Sequence, residues 1–237
     1  MISYDTLAPD SGGWSRVDKH WIETTDDLYI DDITIQVRKE GLFKVTVDGF
    51  PRQGNRYLRT KILEGFPQAA IPFPLCHKQV SFHEAIQDNH FVFSTFRDPL
   101  ESLSSYISEF IKQEHPNGIL NPLFKFLYTQ DDYIYVEKCF LFYIRMTQFI
   151  IDNIKDIYVV PFQSIADDTN NSLSIAISKV LPIAQCTDPV KALPHSSKDL
   201  KLKEYLMTDK FKAITEQAYS VYNHVLELSK THPDRFI

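Results

Sequence analysis

Short stretches of alternating apolar and polar residues recur along this chain. Each is cut by glycine or proline and then followed by residues spaced for a helix. In FKVTV, Phe43, Val45 and Val47 alternate as in a half-buried strand, and the run stops at Asp48-Gly49-Phe50-Pro51. From Asn55 to Leu63, the residues Tyr57, Leu58 and Ile62 recur at helical spacing. HFVFSTF (90–96) repeats the strand signal, and Pro99 suits the first turn of a helix running to about Gln113. DIYVVPF is a third strand, closed by Pro161 and followed by a helix from about Asn171 to Val180. A long helix over Tyr133–Asn153, two closing helices near Leu200–Met207 and Asp209–Lys230, and an early strand at Ile33, Ile35 and Val37 complete the reading. Strands alternating with helices predict a three-layer α/β fold, with a central parallel sheet flanked by helices and joined by right-handed crossovers.

Composition narrows the class. The 237 residues carry a net charge of −6, with 43% hydrophobic and 24% charged residues, the profile of a globular chain with one sizeable core. The longest apolar run, Cys139–Ile151, is interrupted by Arg145 and Gln148 and is too short to span a bilayer. MISYDTLAPDSGG offers neither a basic nor an apolar signal region, so no secretion signal is expected. Cys76, Cys139 and Cys186 are too few and too scattered for a disulfide framework or a metal knuckle, which predicts a reducing, cytoplasmic setting and no metal.

The charge is unevenly spread. Residues 1–40 hold nine acidic and four basic residues, whereas 41–80 hold six basic and two acidic ones. A locally positive block in an acidic chain predicts a small anionic ligand and argues against a nucleic-acid polymer. The simplest organisation is one α/β domain over 41–237, with residues 1–40, including Trp14, Trp21 and Tyr29, as an N-terminal extension packed on the core.

Two segments carry the chemistry. Gly49-Phe50-Pro51-Arg52-Gln53-Gly54-Asn55-Arg56 lies between a strand and a helix, where glycines admit backbone N–H groups to an anion and the helix terminus adds positive potential. Its G-x4-G frame matches the first half of a nucleotide P-loop, but Asn55-Arg56 stand where a Lys-Ser/Thr pair would hold phosphate and Mg²⁺. The alternative is a plain turn with a solvated arginine. The second segment, Arg97-Asp98-Pro99, ends the next strand on the same sheet edge, and Ser105 follows two helical turns later. Arg97 offers a planar fork for phosphate and Ser105 a hydroxyl. Its alternative is a turn in which Asp98 caps the helix and Arg97 pairs with a carboxylate.

Taken together, the two segments resemble the sulfotransferase superfamily, whose donor is 3′-phosphoadenosine 5′-phosphosulfate (PAPS). GFPRQGNRYL is similar to the family's first signature at Pro51, Arg52, Gly54 and Leu58, with Tyr57 at an often aromatic position. FRDPLESLSSY matches the second at Arg97, Asp98, Pro99, Ser105 and Tyr106. KDIYVVPFQSIADD keeps only the hydrophobic frame of a third segment. The family's Thr-Thr is replaced by Asn55-Arg56 and its small residue by Gln53. HSSKD at 195–199 stands late in the chain, in place of the absent basic Gly-rich loop.

The resemblance implies a P-loop-like fold and donor contacts from Pro51, Arg52, Gln53, Gly54, Asn55, Arg56, Tyr57, Arg97 and Ser105. It implies Arg52 facing the bridging oxygen as a catalytic cation and Arg97 with Ser105 holding the 3′-phosphate. His77, twenty residues before Arg97 and beside Lys78, is the candidate general base, with Glu64 and His83 as rivals. The acceptor would be a small-molecule or glycan hydroxyl, or an amine, in a pocket built by loops 64–90 and 114–131. Two other readings stay open: a P-loop nucleotide kinase, or a non-catalytic nucleotide-binding or assembly module on the same fold.

Overall fold

Alternation and β-branching make Phe43–Asp48 (β1) a strand: Val45 and Val47 point to one face, Thr46 and Asp48 to the other, and all four are buried. The computed structural model describes residues 38–72, 79–112, 132–167, 172–182 and 200–237. Within them β1 is joined by Ala69–Ala70 (β2), Phe91–Phe96 (β3) and Ile157–Pro161 (β4) in a four-stranded sheet of order β2-β1-β3-β4. Every pairing is parallel. Asp48 lies opposite Ser94 and Phe96 opposite Pro161, so the C-terminal ends of β1, β3 and β4 share one edge. At the outer side of β4, the Ile237 N–H donates to Val159 O at 3.0 Å.

A parallel sheet needs cover on both faces, and its strand residues divide accordingly. Phe93 and Val160 join Val45 and Val47 beneath Asn55–Gly65 (α1) and beneath Ile165, Leu173 and Ile177 from two short later helices. On the opposite face, Val92, Phe96, Ile157 and Val159 pack under four helices: Gln79–Gln87 (α2), Pro99–Lys112 (α3), Asp132–Asp152 (α4) and the C-terminal Lys212–Thr231. The two short helices are Phe162–Ala166 (α5) and Ser172–Ser178 (α6). Leu200–Leu206 (α7) packs against α3, and the C-terminal helix is α8. The fold is thus three-layered α/β, as its alternating sequence predicts. No helix among the described residues is long and apolar enough to cross a membrane.

The segment 64–90, expected as pocket loops, differs: it contains β2 and α2. β2 is two alanines long, too short to alternate, and α2 buries Phe82 and Ala85 on a single narrow stripe. The early strand at 33–37, the loop at 114–131 and HSSKD lie outside the described residues.

This topology creates a crevice. From β1 the chain passes through α1 to β2 on one side, while β3 pairs on the other side of β1. The helices leaving β1 and β3 also diverge, α1 to one face of the sheet and α3 to the other. In open α/β sheets, such a divergence at the strands' carboxyl ends is where ligands bind.

Candidate functional site

The loop between β1 and α1 is anchored from within. Phe50, 1% exposed, sits in an aromatic box with Tyr106 of α3 and Tyr143 of α4, at ring-centroid separations of 5.2 and 5.3 Å. The buried Asn55 amide donates to Phe50 O at 2.8 Å, and its oxygen accepts from the Thr95 hydroxyl. Gln53, also buried, donates to Ser102 Oγ at 3.3 Å. Tyr57 is buried in the core under α1, with the Lys61 ammonium 5.7 Å from its ring. Pro51, Gln53, Asn55 and Tyr57 therefore shape and pin the loop, while Arg56 is exposed on α1.

Two backbone features finish the loop. Gly54 caps α1 with φ 93°, a left-handed conformation that favours glycine, and a Cβ there would also stand 2.8 Å from the Ile165 side chain. Arg52 adopts φ 65°, a left-handed conformation that costs an ordinary L-residue about 1 kcal/mol or more. The N-cap of α1 is Gly54, which has no side chain to cap the helix, and the helix N-terminus faces the crevice end of the sheet.

The β3–α3 turn is built the other way. Asp98 caps α3: its Oδ1 accepts from the Glu101 N–H at 3.0 Å, and its Oδ2 from the Tyr219 hydroxyl of α8 at 3.0 Å. Burial and the Asp98 charge push the Tyr219 hydroxyl far above the ordinary phenol range, so it stays protonated and donating. Tyr143, likewise raised by burial, donates to Arg97 O at 2.8 Å. With its N-terminus capped by a carboxylate, α3 offers side chains to the crevice and little helix potential.

Between these loops the three cationic and hydroxyl residues singled out by the sequence meet. Arg52 Nε donates to Ser105 Oγ at 3.3 Å, and Arg97 Nη1 donates to Arg52 O at 3.1 Å. The Arg97 guanidinium lies 4.1 Å from the centre of the Phe162 ring at the start of α5, so three strand ends contribute to one spot. Burial disfavours the charged form of Arg97, Glu101 opposes that effect, and Arg52 adds to it. An arginine still stays protonated, so two cations are held side by side in a partly dry crevice.

Sequence reading missed two neighbours. Glu101 takes Arg97 Nη2 at 3.4 Å and Lys203 Nζ of α7 at 2.6 Å. Glu101 was legible as the residue one turn from both Arg97 and Ser105; Lys203, 102 positions further along the chain, carries no local signal. Both alternatives at this segment are therefore present: Asp98 does cap, and Arg97 does pair with a carboxylate.

The remaining expectations distribute as follows. His77 and Lys78 lie outside the described residues. Glu64 is exposed at the far end of α1, about 14 Å along the helix from Asn55. His83 is exposed on α2, with its ring edge-on to Phe149 at 4.8 Å. The positive block of 41–80 is not one patch. Arg59 and Lys61 are buried on α1, Lys44 pairs with Asp88 at the opposite sheet edge, and Arg52 enters the crevice cluster. Among the described residues no group of His, Cys, Asp and Glu is placed to hold a metal ion. No family model matches the chain, and no curated protein or solved structure matches it.

Proposed function

We propose that this chain is a PAPS-dependent sulfotransferase acting on a hydroxyl or amine of a small molecule or glycan, in a cytoplasmic setting. The observation that carries the reading is the meeting of Arg52, Arg97 and Ser105 between the ends of β1 and β3, beside the N-terminus of α1. Two arginines and a hydroxyl suit a ligand with two separate anionic groups. In the proposed reaction the acceptor oxygen or nitrogen attacks sulfur in line and forms the new bond. The bond from sulfur to the 5′-phosphate oxygen breaks, and that oxygen leaves with the electron pair as 3′-phosphoadenosine 5′-phosphate (PAP). Arg52 neutralises the leaving oxygen, Arg97 and Ser105 hold the 3′-phosphate, and His77 takes the acceptor's proton.

A second reading has its own support. The Asn55 amide is committed to Phe50 and Thr95, and Glu101 already pairs with Arg97, as in a nucleotide-binding module that performs no transfer. Turnover separates the two. Incubation with PAPS and a panel of hydroxyl and amine acceptors, read by mass spectrometry, should give PAP and a sulfated product, and Arg52→Ala should slow it about 100-fold. PAPS bound but unconsumed across the panel favours the binding module; PAPS neither bound nor consumed removes both.

A further inference from the structure

Glu101 and Ser105 lie one turn apart on α3, and Arg97, just after β3, reaches Glu101, so a carboxylate stands beside both residues proposed to hold a phosphate. Arg97 already uses both terminal nitrogens, Nη1 on Arg52 O and Nη2 on Glu101, and one face of its guanidinium lies against Phe162. Each terminal nitrogen keeps a second N–H, so an anion can reach the Arg97 fork, but there it meets the Glu101 carboxylate 3.4 Å from Nη2 and competes with it for the guanidinium charge. The Lys203 ammonium holds the other oxygen of Glu101 at the shorter distance, 2.6 against 3.4 Å. The side chains of Arg97, Glu101 and Lys203 are 15, 20 and 32% exposed, so the pairs are partly screened and exchangeable.

We propose that Glu101 is an exchangeable internal anion: an incoming phosphate group displaces it from Arg97, and Lys203 keeps the released carboxylate turned away from the ligand. Glu101 thereby sets the affinity of the site, and Lys203 acts on the ligand only through Glu101, as a positioning residue. This rests on the donor site proposed above, and it deepens that reading by assigning control over it to α7, an element that neither donor motif contains.

The test is calorimetric titration of the full chain with PAP and, separately, with inorganic pyrophosphate. The wild type, Glu101→Gln, Lys203→Met and the double variant are compared, each checked by thermal unfolding. Glu101→Gln should bind both ligands about tenfold more tightly, as expected when the competing charge worth about 1.4 kcal/mol is gone. Lys203→Met, which removes the ammonium that draws the carboxylate away from Arg97, should bind about threefold more weakly, and that loss should vanish in the Glu101→Gln background. Unchanged or weaker binding by Glu101→Gln overturns the exchange, as does a Lys203→Met loss that persists without the carboxylate. Should Glu101→Gln fail to fold, Glu101→Ala takes its place in the same comparison, alone and combined with Lys203→Met, with the same outcomes supporting or overturning the exchange. Tighter pyrophosphate binding with no PAP binding by any variant keeps the exchange and removes the sulfotransferase reading. If no variant binds either ligand, both fall.

Discussion

The two ends of the β1–β3 pair solve the same problem with different residues. At the N-terminal end the turn before β3 places Asn89 in the left-handed region, at φ 57°; at the C-terminal end the loop after β1 places Arg52 there, at φ 65°. Asparagine tolerates that conformation more readily than arginine does. The charges around them differ in the same sense. Asp88 lies 3.6 Å from Lys44 and 3.9 Å from His90, whose other ring nitrogen meets the Thr46 hydroxyl at 2.9 Å. Burial, with the Lys44 charge, depresses the His90 pKa and favours its neutral form. Opposite charges close on one another there and serve the fold. At the other end two arginines share a crevice, and Glu101 pairs with one of them, Arg97. The N-terminal turn uses a residue suited to its conformation, whereas the C-terminal loop carries a residue suited to its side chain.

Two experiments probe this contrast. The larger effect belongs to the pin that holds the strained loop. Asn55→Ala removes the donor to Phe50 O and the acceptor of Thr95 in a buried setting, and should lower unfolding stability by about 2 kcal/mol in urea titration. A loss near zero would mean that the aromatic box around Phe50 alone fixes the loop. The smaller effect compares the two left-handed residues directly. Asn89→Gly should change stability by less than about 0.5 kcal/mol, since asparagine bears little strain there. Arg52→Gly should be neutral or stabilising by up to about 1 kcal/mol, relief of strain being partly offset by chain entropy, while the proposed sulfuryl transfer should slow about 100-fold. A clear loss of stability in Arg52→Gly would show that the arginine is there for the fold.

Much of the architecture was legible because the strands are short, alternating and ended by Pro or Gly, and because α3, α4 and α8 are long enough to show their period. β2 escaped because two alanines have no pattern, and α5 because five residues directly after Pro161 read as the tail of a strand. At the site, Arg52, Arg97 and Ser105 could be named from their places after successive strands, since parallel topology brings strand ends to one edge. The direction of side chains within the loop could not be read. The side chains of Gln53, Asn55 and Tyr57, expected in the sequence as ligand contacts, face the interior, while Arg52 is left half-exposed. Lys203 reaches the crevice only through packing of α7 on α3, which nothing near it in the chain announces.

The central claim is that Arg97 and Ser105, beside Arg52, read a 3′-phosphate. Titration of PAP and ADP into the wild type and into Arg97→Ala tests it most directly. PAP should bind at micromolar concentration and at least about tenfold more tightly than ADP, and the preference should disappear in Arg97→Ala while ADP binding changes little. Equal affinity for the two nucleotides, or a preference that survives the loss of Arg97, would contradict the account.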